Sequence, residues 1–448
     1  MEHLPLELAE AIASHLEDYL EEPFTRWPAH SKDSLRDIQS FRQVCRGFDH
    51  ASAMGHARTL GEKPFRLSTA SIQQLDELSR HPGLATHVTA LTFADELCFH
   101  ADASKVFEAA LNLTTIFGNN GDALSPAEKE EELAKQKYKV GELRDIYNRH
   151  KATQQAEMED SKKVENLSIA MAGFRNLRTL RIFPEEITGT LKQIFTEEQY
   201  QLMSQIAESP EMPSISLFPL GHRPDTLPIL FQAMVDAKVE LREFISANQP
   251  GSETLQVIRL DMDESLLRQA FRSLKTMCIT ANSQQAYPSE IEVDPEVREK
   301  RSNALAKFIS CAPNLETLEL NAGGAAWEFG VERQTWSLRK LFTDVSLPNL
   351  RSFTLQGLVL LDNLYEFPEF QQFLNEHRDT LTTLGLHEVR TRSSAVAVHC
   401  PYCIWTDFIV WLKHFPNLEV EVKGVLGSEE FTDMLFKEPL GWIRRAVG

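Results

Sequence analysis

A six-residue pattern of apolar side chains recurs along this sequence and constrains its fold more than any other feature. The pattern has the form L-x-x-L-x-L, and its clearest copy is Leu315–Leu320. Copies in which Met, Phe or Ile takes an apolar position are Leu177–Ile182, Leu274–Ile279, Leu350–Leu355 and Leu381–Leu386. Because the last three side chains of each copy point in, out and in again, each copy predicts a short β-strand with one buried face.

Amphipathic helical segments precede most of these copies. They are predicted at Asn303–Cys311, Phe367–His377 and Trp405–Phe415, and weaker copies of the strand pattern lie at Val88–Phe93 and Leu255–Leu260. Three copies follow a Pro-Asn-Leu tripeptide, in which proline stops a helix and asparagine permits the turn into the strand. Helix–strand units laid side by side would bury a continuous apolar layer and form a curved solenoid. The alternative is an ordinary α/β domain with parallel strands.

Three stretches interrupt the pattern. Residues 125–165 are rich in Glu, Lys and Gln, and Ser125-Pro126 is typical of a helix start. We predict here a long helix or helix pair laid against the solenoid; the simpler interpretation, a charged and solvated helix, is the favoured one. Its narrow apolar stripe consists of Leu133, Val140, Leu143, Ile146 and Tyr147. Phe183–Pro228 and Asn282–Glu299 hold no clean copy and are predicted to be polar insertions.

Two short amphipathic helices are predicted at the amino end. In the first, Pro5 stands where a helix begins, and Leu8, Ile12 and Leu16 follow at a spacing of four. The second runs from Leu35 to Arg46. Its apolar stripe consists of Ile38, Phe41, Val44, Cys45 and Phe48. Helices this short bury little apolar surface alone, so they need a partner in this chain or in another.

These N-terminal residues resemble an F-box. The likeness rests on Leu4-Pro5-x-Glu7-Leu8-(x)3-Ile12-(x)3-Leu16 and on a leucine-led helix that ends in Val44-Cys45-Arg46. It covers about a tenth of the chain, and the repeats behind it resemble the divergent leucine-rich repeats that follow F-boxes in many fungal proteins. In that family the motif docks onto the adaptor subunit of a cullin–RING ubiquitin ligase. The positions that match the motif are Leu4, Pro5, Leu8, Ile12, Leu16, Leu35, Ile38, Phe41, Val44 and Cys45.

The resemblance implies an α/β protein with two parts. Residues 1–60 form an F-box-like helical module, and residues 61–448 form an irregular leucine-rich-repeat solenoid that includes the helical insertion 125–165. Residues 17–34 are an acidic, proline-containing insertion where the family has only a few residues. The implied function is the substrate-recognition subunit of an SCF-type ligase. The alternative is a non-catalytic repeat scaffold for protein–protein interaction that uses its N-terminal helices for its own core.

Charge and composition disfavour several other functions. A formal net charge of −19 argues against nucleic acid and against an anionic membrane surface as partners. No apolar run is long enough to span a bilayer, and Glu2 and His3 stand where a signal peptide would carry a basic run. Six scattered cysteines do not resemble a disulfide framework. These features predict a cytoplasmic or nuclear protein.

Sequence signatures of catalysis are absent. There is no G-x-S-x-G, no G-x-x-x-x-G-K and no G-x-G-x-x-G after a strand. His399, Cys400 and Cys403 could supply zinc ligands, but a structural site needs a second pair and no second C-x-x-C exists. We therefore predict a chain that is not an enzyme and that holds no cofactor or metal.

An unidentified protein substrate is the second expected partner. The outward positions of the clean copies carry no large apolar side chain, so they predict a polar strip with basic and acidic positions; a merely solvated surface is the alternative. Two tryptophans in the loop after one strand could anchor a partner or lie buried under a neighbouring repeat. The candidate substrate-binding residues are Arg178, Arg181, Lys275, Glu316, Glu319, Arg351, Trp327 and Trp336.

Overall fold

The structure is a computed structural model, and its description covers most of the chain. The described residues are 6–17, 19–20, 29–44, 51–95, 97–99, 126–159, 161–184, 194–207, 220–222, 225–246, 255–256, 260–282, 295–321, 337–356, 359–360, 367–387, 389–391, 408, 410–415, 417–423 and 443–444. Within these ranges the protein is α/β, with one large parallel sheet covered by helices.

Helices and strands alternate along most of the chain. The helices are α1 (Leu6–His15), α2 (Lys32–Val44), α3 (Ala53–Glu62), α4 (Thr69–Ser79), α5 (Pro126–Met158), α6 (Lys163–Gly173), α7 (Glu197–Ala207), α8 (Thr226–Asp236), α9 (Glu264–Ala270), α10 (Pro295–Ser310), α11 (Arg339–Asp344) and α12 (Phe367–Glu376). The strands are β1 (Tyr19–Leu20), β2 (Ala29–His30), β3 (Pro64–Phe65), β4 (Ala90–Asp95), β5 (Leu97–Phe99), β6 (Thr179–Pro184), β7 (Leu220–His222), β8 (Glu243–Ser246), β9 (Leu255–Gln256), β10 (Thr276–Asn282), β11 (Thr317–Asn321), β12 (Ser352–Gln356), β13 (Val359–Leu360), β14 (Thr383–His387), β15 (Arg390–Thr391), β16 (Glu419–Lys423) and β17 (Ile443–Arg444).

The large sheet adds its strands in sequence order. Its path is β3-β4-β6-β8-β10-β11-β12-β14-β16-β17, and β9 pairs with the end of β10. Every pairing along it is parallel. The short strands β1–β2, β5–β7 and β13–β15 form separate pairs. Sequence order with parallel pairing requires each connection to return the chain to the same end of the sheet, and helices make most of these returns.

The predicted alternation within each copy places apolar side chains in register across the sheet. One register row is apolar from strand to strand and lies in the core; its members are Leu180, Phe244, Met277, Leu318, Phe353, Leu384 and Val420. The helices cover this face with further apolar side chains. In the middle, Phe308 of α10 lies with its ring centroid 5.0 Å from Phe271, 5.8 Å from Phe244 and 6.2 Å from Phe231 of α8. Aromatic side chains from several successive units therefore share one core.

The turns that start the strands are tied to one another by hydrogen bonds. The Arg242 amide donates to the Arg178 carbonyl at 2.7 Å, and the Lys275 amide donates to the Arg242 carbonyl at 2.9 Å. Asn314 of a Pro-Asn-Leu tripeptide donates its side-chain amide to the carbonyl of Arg272 in the preceding turn at 2.7 Å. The asparagine therefore joins neighbouring units as well as permitting a turn, a role the sequence analysis missed.

One copy was missed. The strand that lies between β6 and β10 is β8. Of the weaker predicted copy Leu255–Leu260, the structure describes Leu255–Gln256, which forms β9 and pairs with the end of β10, and Leu260. The copy that starts β8 is Leu241–Ser246, in which Ser246 takes the last apolar position. The copy was missed because serine is polar and the pattern has an apolar residue at that position. The side chain of Ser246 is buried and its hydroxyl donates to the Thr280 carbonyl, which satisfies the polar group.

The helical insertion buries its apolar stripe, while most of its described charged side chains face solvent. α5 begins at the predicted Pro126, and Val140, Leu143 and Tyr147 on its stripe are fully buried. Ile146 is half-buried, and the Leu133 side chain lies outside the described residues. The predicted insertion at 282–299 is helical from Pro295, where α10 begins.

Candidate functional site: protein-binding surfaces

The first helix presents its larger apolar side chains to solvent. Leu8 is 54% exposed and Ile12 is 42% exposed, whereas Ala9 and Ala13 on the adjacent face of α1 are buried. Ala9 packs with Phe41 of α2 and with Ala51. The alanines therefore let α1 approach the rest of the chain closely, and the leucine–isoleucine face is left uncovered by the described residues.

The second helix divides its apolar side chains between the interior and the surface. Ile38 is only 1% exposed, while Val44 at the end of α2 is 51% exposed. Leu16, Leu35 and Phe41 are half-buried. The other adaptor-binding candidates, Leu4, Pro5 and Cys45, lie outside the described residues. Met54 of α3 is a further exposed apolar residue that the sequence did not single out.

The described parts of the predicted 17–34 insertion include a short pair of strands and the start of α2. Tyr19 and Leu20 pair antiparallel with His30 and Ala29, and α2 begins at Lys32. The side chain of His30 is buried, with Nδ1 2.5 Å from Glu62 Oε1 and Nε2 3.6 Å from Glu17 Oε2. The His30 backbone N–H donates to Glu62 Oε2 at 3.0 Å. These contacts anchor the insertion to the last turn of α3.

Helix α3 in turn lies against the start of the large sheet. The hydroxyl of Thr92 in β4 donates to the carbonyl of Gly61. A Cβ atom at Gly61 would lie 3.0 Å from the Ala90 carbonyl oxygen, so a larger residue would push the two backbones apart by a few tenths of an ångström. The N-terminal helices are thereby fixed to one end of the sheet.

The candidate substrate-binding residues lie in two different places. Four of them occupy equivalent positions, each just before a strand of the large sheet. At each position the backbone amide donates a hydrogen bond to a backbone carbonyl of the preceding unit. These residues are Arg178, Lys275, Glu316 and Arg351. Arg242 belongs to the same row and was missed because its copy was not recognised. Lys275 Nζ lies 2.6 Å from Glu316 Oε1, which holds the pKa of that carboxyl below its usual range.

Arg181 and Glu319 lie instead within the strands, on the face opposite the core. Arg181 is half-buried, and burial lowers its pKa to about 10 although the carboxylates of Glu243 and Glu62 favour the charged form. Glu319 accepts from the Cys278 thiol at 3.7 Å. Arg181 is thus built into the junction with the N-terminal helices, which counts against its predicted role at an open surface.

The remaining sequence candidates are not placed. Trp327, Trp336, His399, Cys400 and Cys403 lie outside the described residues. Among the residues that are described, no cluster of His, Cys, Asp and Glu has the arrangement of a metal site. None of the described helices combines the length and apolar composition needed to cross a bilayer.

No family model fits the chain, and no curated protein is significantly similar to it. Any function must therefore be argued from the surfaces described above.

Proposed function

We propose that this chain is the substrate-recognition subunit of an SCF-type cullin–RING ubiquitin ligase. The N-terminal helices would dock onto the adaptor subunit, and the helix–strand units, as an irregular leucine-rich-repeat solenoid, would hold a target protein. The chain itself would not catalyse ubiquitin transfer. Its contribution would be to raise the local concentration of the target at the transfer machinery.

The observation that carries this proposal is the exposed pair Leu8 and Ile12. Both are motif positions of the F-box resemblance, and both face solvent although smaller residues on the same helix are buried. Leaving large apolar side chains exposed is unfavourable by about 1.5–3 kcal/mol each relative to burying them. A partner that covers them recovers about half of that free energy, because Leu8 and Ile12 are already about half buried.

Adaptor binding tests the proposal directly. We expect the Leu8→Glu/Ile12→Glu variant to lose co-purification with the adaptor, because two charges would enter an apolar interface. Ala11→Glu/Ser14→Glu is the matched control, since both residues are exposed on the same helix and the change in charge is equal. A charge at Pro5, also a motif position, is expected to act like one at Ile12.

The alternative function is a repeat scaffold with no ligase role. The burial of Ile38 favours the scaffold, since part of the apolar stripe of α2 packs inside this chain. Failure of the wild-type chain to bind the adaptor, or equal adaptor binding by the wild type and the Leu8→Glu/Ile12→Glu variant, would support the scaffold and contradict the ligase role.

A further inference from the structure

Positive charge is concentrated at the end of the large sheet where its strands begin, although the chain as a whole is acidic. Three successive strands, β6, β8 and β10, are each preceded by two cationic residues, at the place where a helix ends and the strand begins. We call this set the basic rim, and it consists of Arg175, Arg178, Lys238, Arg242, Arg272 and Lys275.

The backbone holds the rim residues side by side. Because the amide of Arg242 donates to the carbonyl of Arg178, and that of Lys275 to Arg242, these three residues follow one another at about the 4.8 Å spacing of neighbouring strands. Arg351 continues the row beyond Glu316 through the next two hydrogen bonds of the same kind. An extended peptide of roughly six residues would cover the row from end to end.

Several rim cations have no acidic partner in the described part of the chain. Arg175, Arg242 and Arg272 are exposed and make no ion pair with any described residue. The Arg178 guanidinium donates to the carbonyl of Leu177 at 2.8 Å, and Lys275 pairs with Glu316. The acidic side chains that border the rim are Asp236, Glu240, Glu243 and Glu316. The rim thus keeps an excess of positive charge although the whole chain carries a net charge of −19.

Lys238 occupies a backbone conformation that does not favour lysine. Its φ of 56° is the only positive value at a non-glycine residue in the described chain. A side chain there costs about 1 kcal/mol relative to the conformations it prefers, and glycine would avoid that cost. The chain therefore places a cation on the rim at a position where its backbone favours a smaller residue.

We propose that the basic rim binds an extended, carboxylate-rich segment of the target protein. This inference rests on the proposed function, because it specifies what the repeat units would recognise. A short protein segment fits better than nucleic acid, since its carboxylates can be confined to the rim, whereas a longer phosphate backbone would extend over the acidic remainder of the chain. Guanidinium groups spaced along this end of the sheet can pair with successive carboxylates of an extended peptide.

Fluorescence anisotropy with the full-length chain tests the rim. The probe is a fluorescein-labelled peptide of alternating glutamate and glycine, about eight residues long, and the comparison peptide carries glutamine in place of glutamate. We expect the glutamate peptide to bind and the glutamine peptide not to bind. Binding should weaken as NaCl rises from about 50 to about 300 mM, because salt screens exposed charges.

Charge-reversal variants locate the binding site. Arg242→Glu/Arg272→Glu is expected to weaken binding about tenfold without breaking an ion pair between residues that the structure describes. Lys137→Glu/Arg149→Glu on α5 makes the same change in net charge at exposed positions away from the rim and is expected to bind as the wild type does. Lys238→Gly should weaken binding about two- to threefold while the fold is kept, because glycine suits its backbone.

Three outcomes would overturn the proposal: equal binding of the glutamine peptide, an equal loss in the α5 control variant, or tighter binding of a single-stranded RNA probe. The assay contains no adaptor, so its result is independent of docking at α1. Failure of the wild-type chain to bind the adaptor, with peptide binding intact, would contradict the ligase role alone. Adaptor binding by the wild-type chain without binding of the glutamate peptide would contradict the rim alone.

Discussion

Gly385 lies in the middle of β14, beside Thr354 of β12. A Cβ atom at Gly385 would lie 2.7 Å from Thr354 Oγ1, 2.8 Å from Cγ2 and 3.2 Å from Cβ. Both branches of the threonine are too close, so rotating χ1 does not make room. We expect Gly385→Ala to lower the free energy of unfolding by about 1–3 kcal/mol, measured by urea denaturation.

The neighbouring strand supplies the control. Thr354→Ala removes both branches, so the double variant Gly385→Ala/Thr354→Ala should recover most of the lost stability. A double-mutant cycle gives the interaction energy directly. If the two substitutions simply add, the steric explanation for Gly385 is wrong.

At the scale of elements, the N-terminal helices depend on the contact between β2 and α3. The buried His30 imidazole and its backbone N–H together hold both oxygens of Glu62. We expect His30→Ala to destabilise the protein by about 1–3 kcal/mol, because Glu62 would lose a hydrogen bond in a largely desolvated place. Hydrogen exchange in α1 and α2 should rise in the same variant.

Arg36→Ala is the comparison for that element. Arg36 of α2 pairs with Asp33 at 3.1 Å, and both side chains face solvent, with exposed fractions of 71% and 80%. An exposed ion pair contributes only about 0–1 kcal/mol, so this variant should keep the protection of α1 and α2. Equal losses in the two variants would show that these helices do not depend on the buried imidazole in particular.

The same scale shows what the sequence could predict. β11, β12 and β14 were predictable because each strand's apolar alternation is a local property of a few residues. β8 was missed because Ser246 satisfies its hydroxyl through a neighbouring strand, and that partner is not visible in one sequence. The stripe Leu8, Ile12 and Leu16 was predictable, but which side of α1 faces the chain depends on the packing of Ala9 with Phe41 and Ala51, which one sequence does not show. Only part of the basic rim could be predicted from the sequence, because Arg242 aligns with Arg178 only when β8 is recognised as a strand.

Across the whole molecule, the core is continuous. A single cluster of buried apolar residues extends from Ala57 in α3 to Val422 in β16, and each unit contributes to it through contacts with its neighbours. Such a core is compatible with a solenoid, in which stability is a sum of units and neighbour interfaces, and with one compact α/β domain that unfolds as a whole. These two architectures respond differently to a local cavity.

Phe308→Ala separates the two architectures. Removing this ring leaves a cavity among side chains of neighbouring units and should cost about 3–5 kcal/mol. For a solenoid we expect hydrogen-exchange protection to fall most in β8, β10 and β11, and less towards β4 and β16, because coupling passes only between neighbours. Phe408 lies near the C-terminal end of the sheet, with its ring centroid 5.6 Å from that of Phe370. Phe408→Ala should therefore shift the largest fall in hydrogen-exchange protection to β14 and β16. An equal fall at both ends of the sheet in both variants would instead mean one cooperative domain, and the repeat architecture behind the proposed function would be wrong.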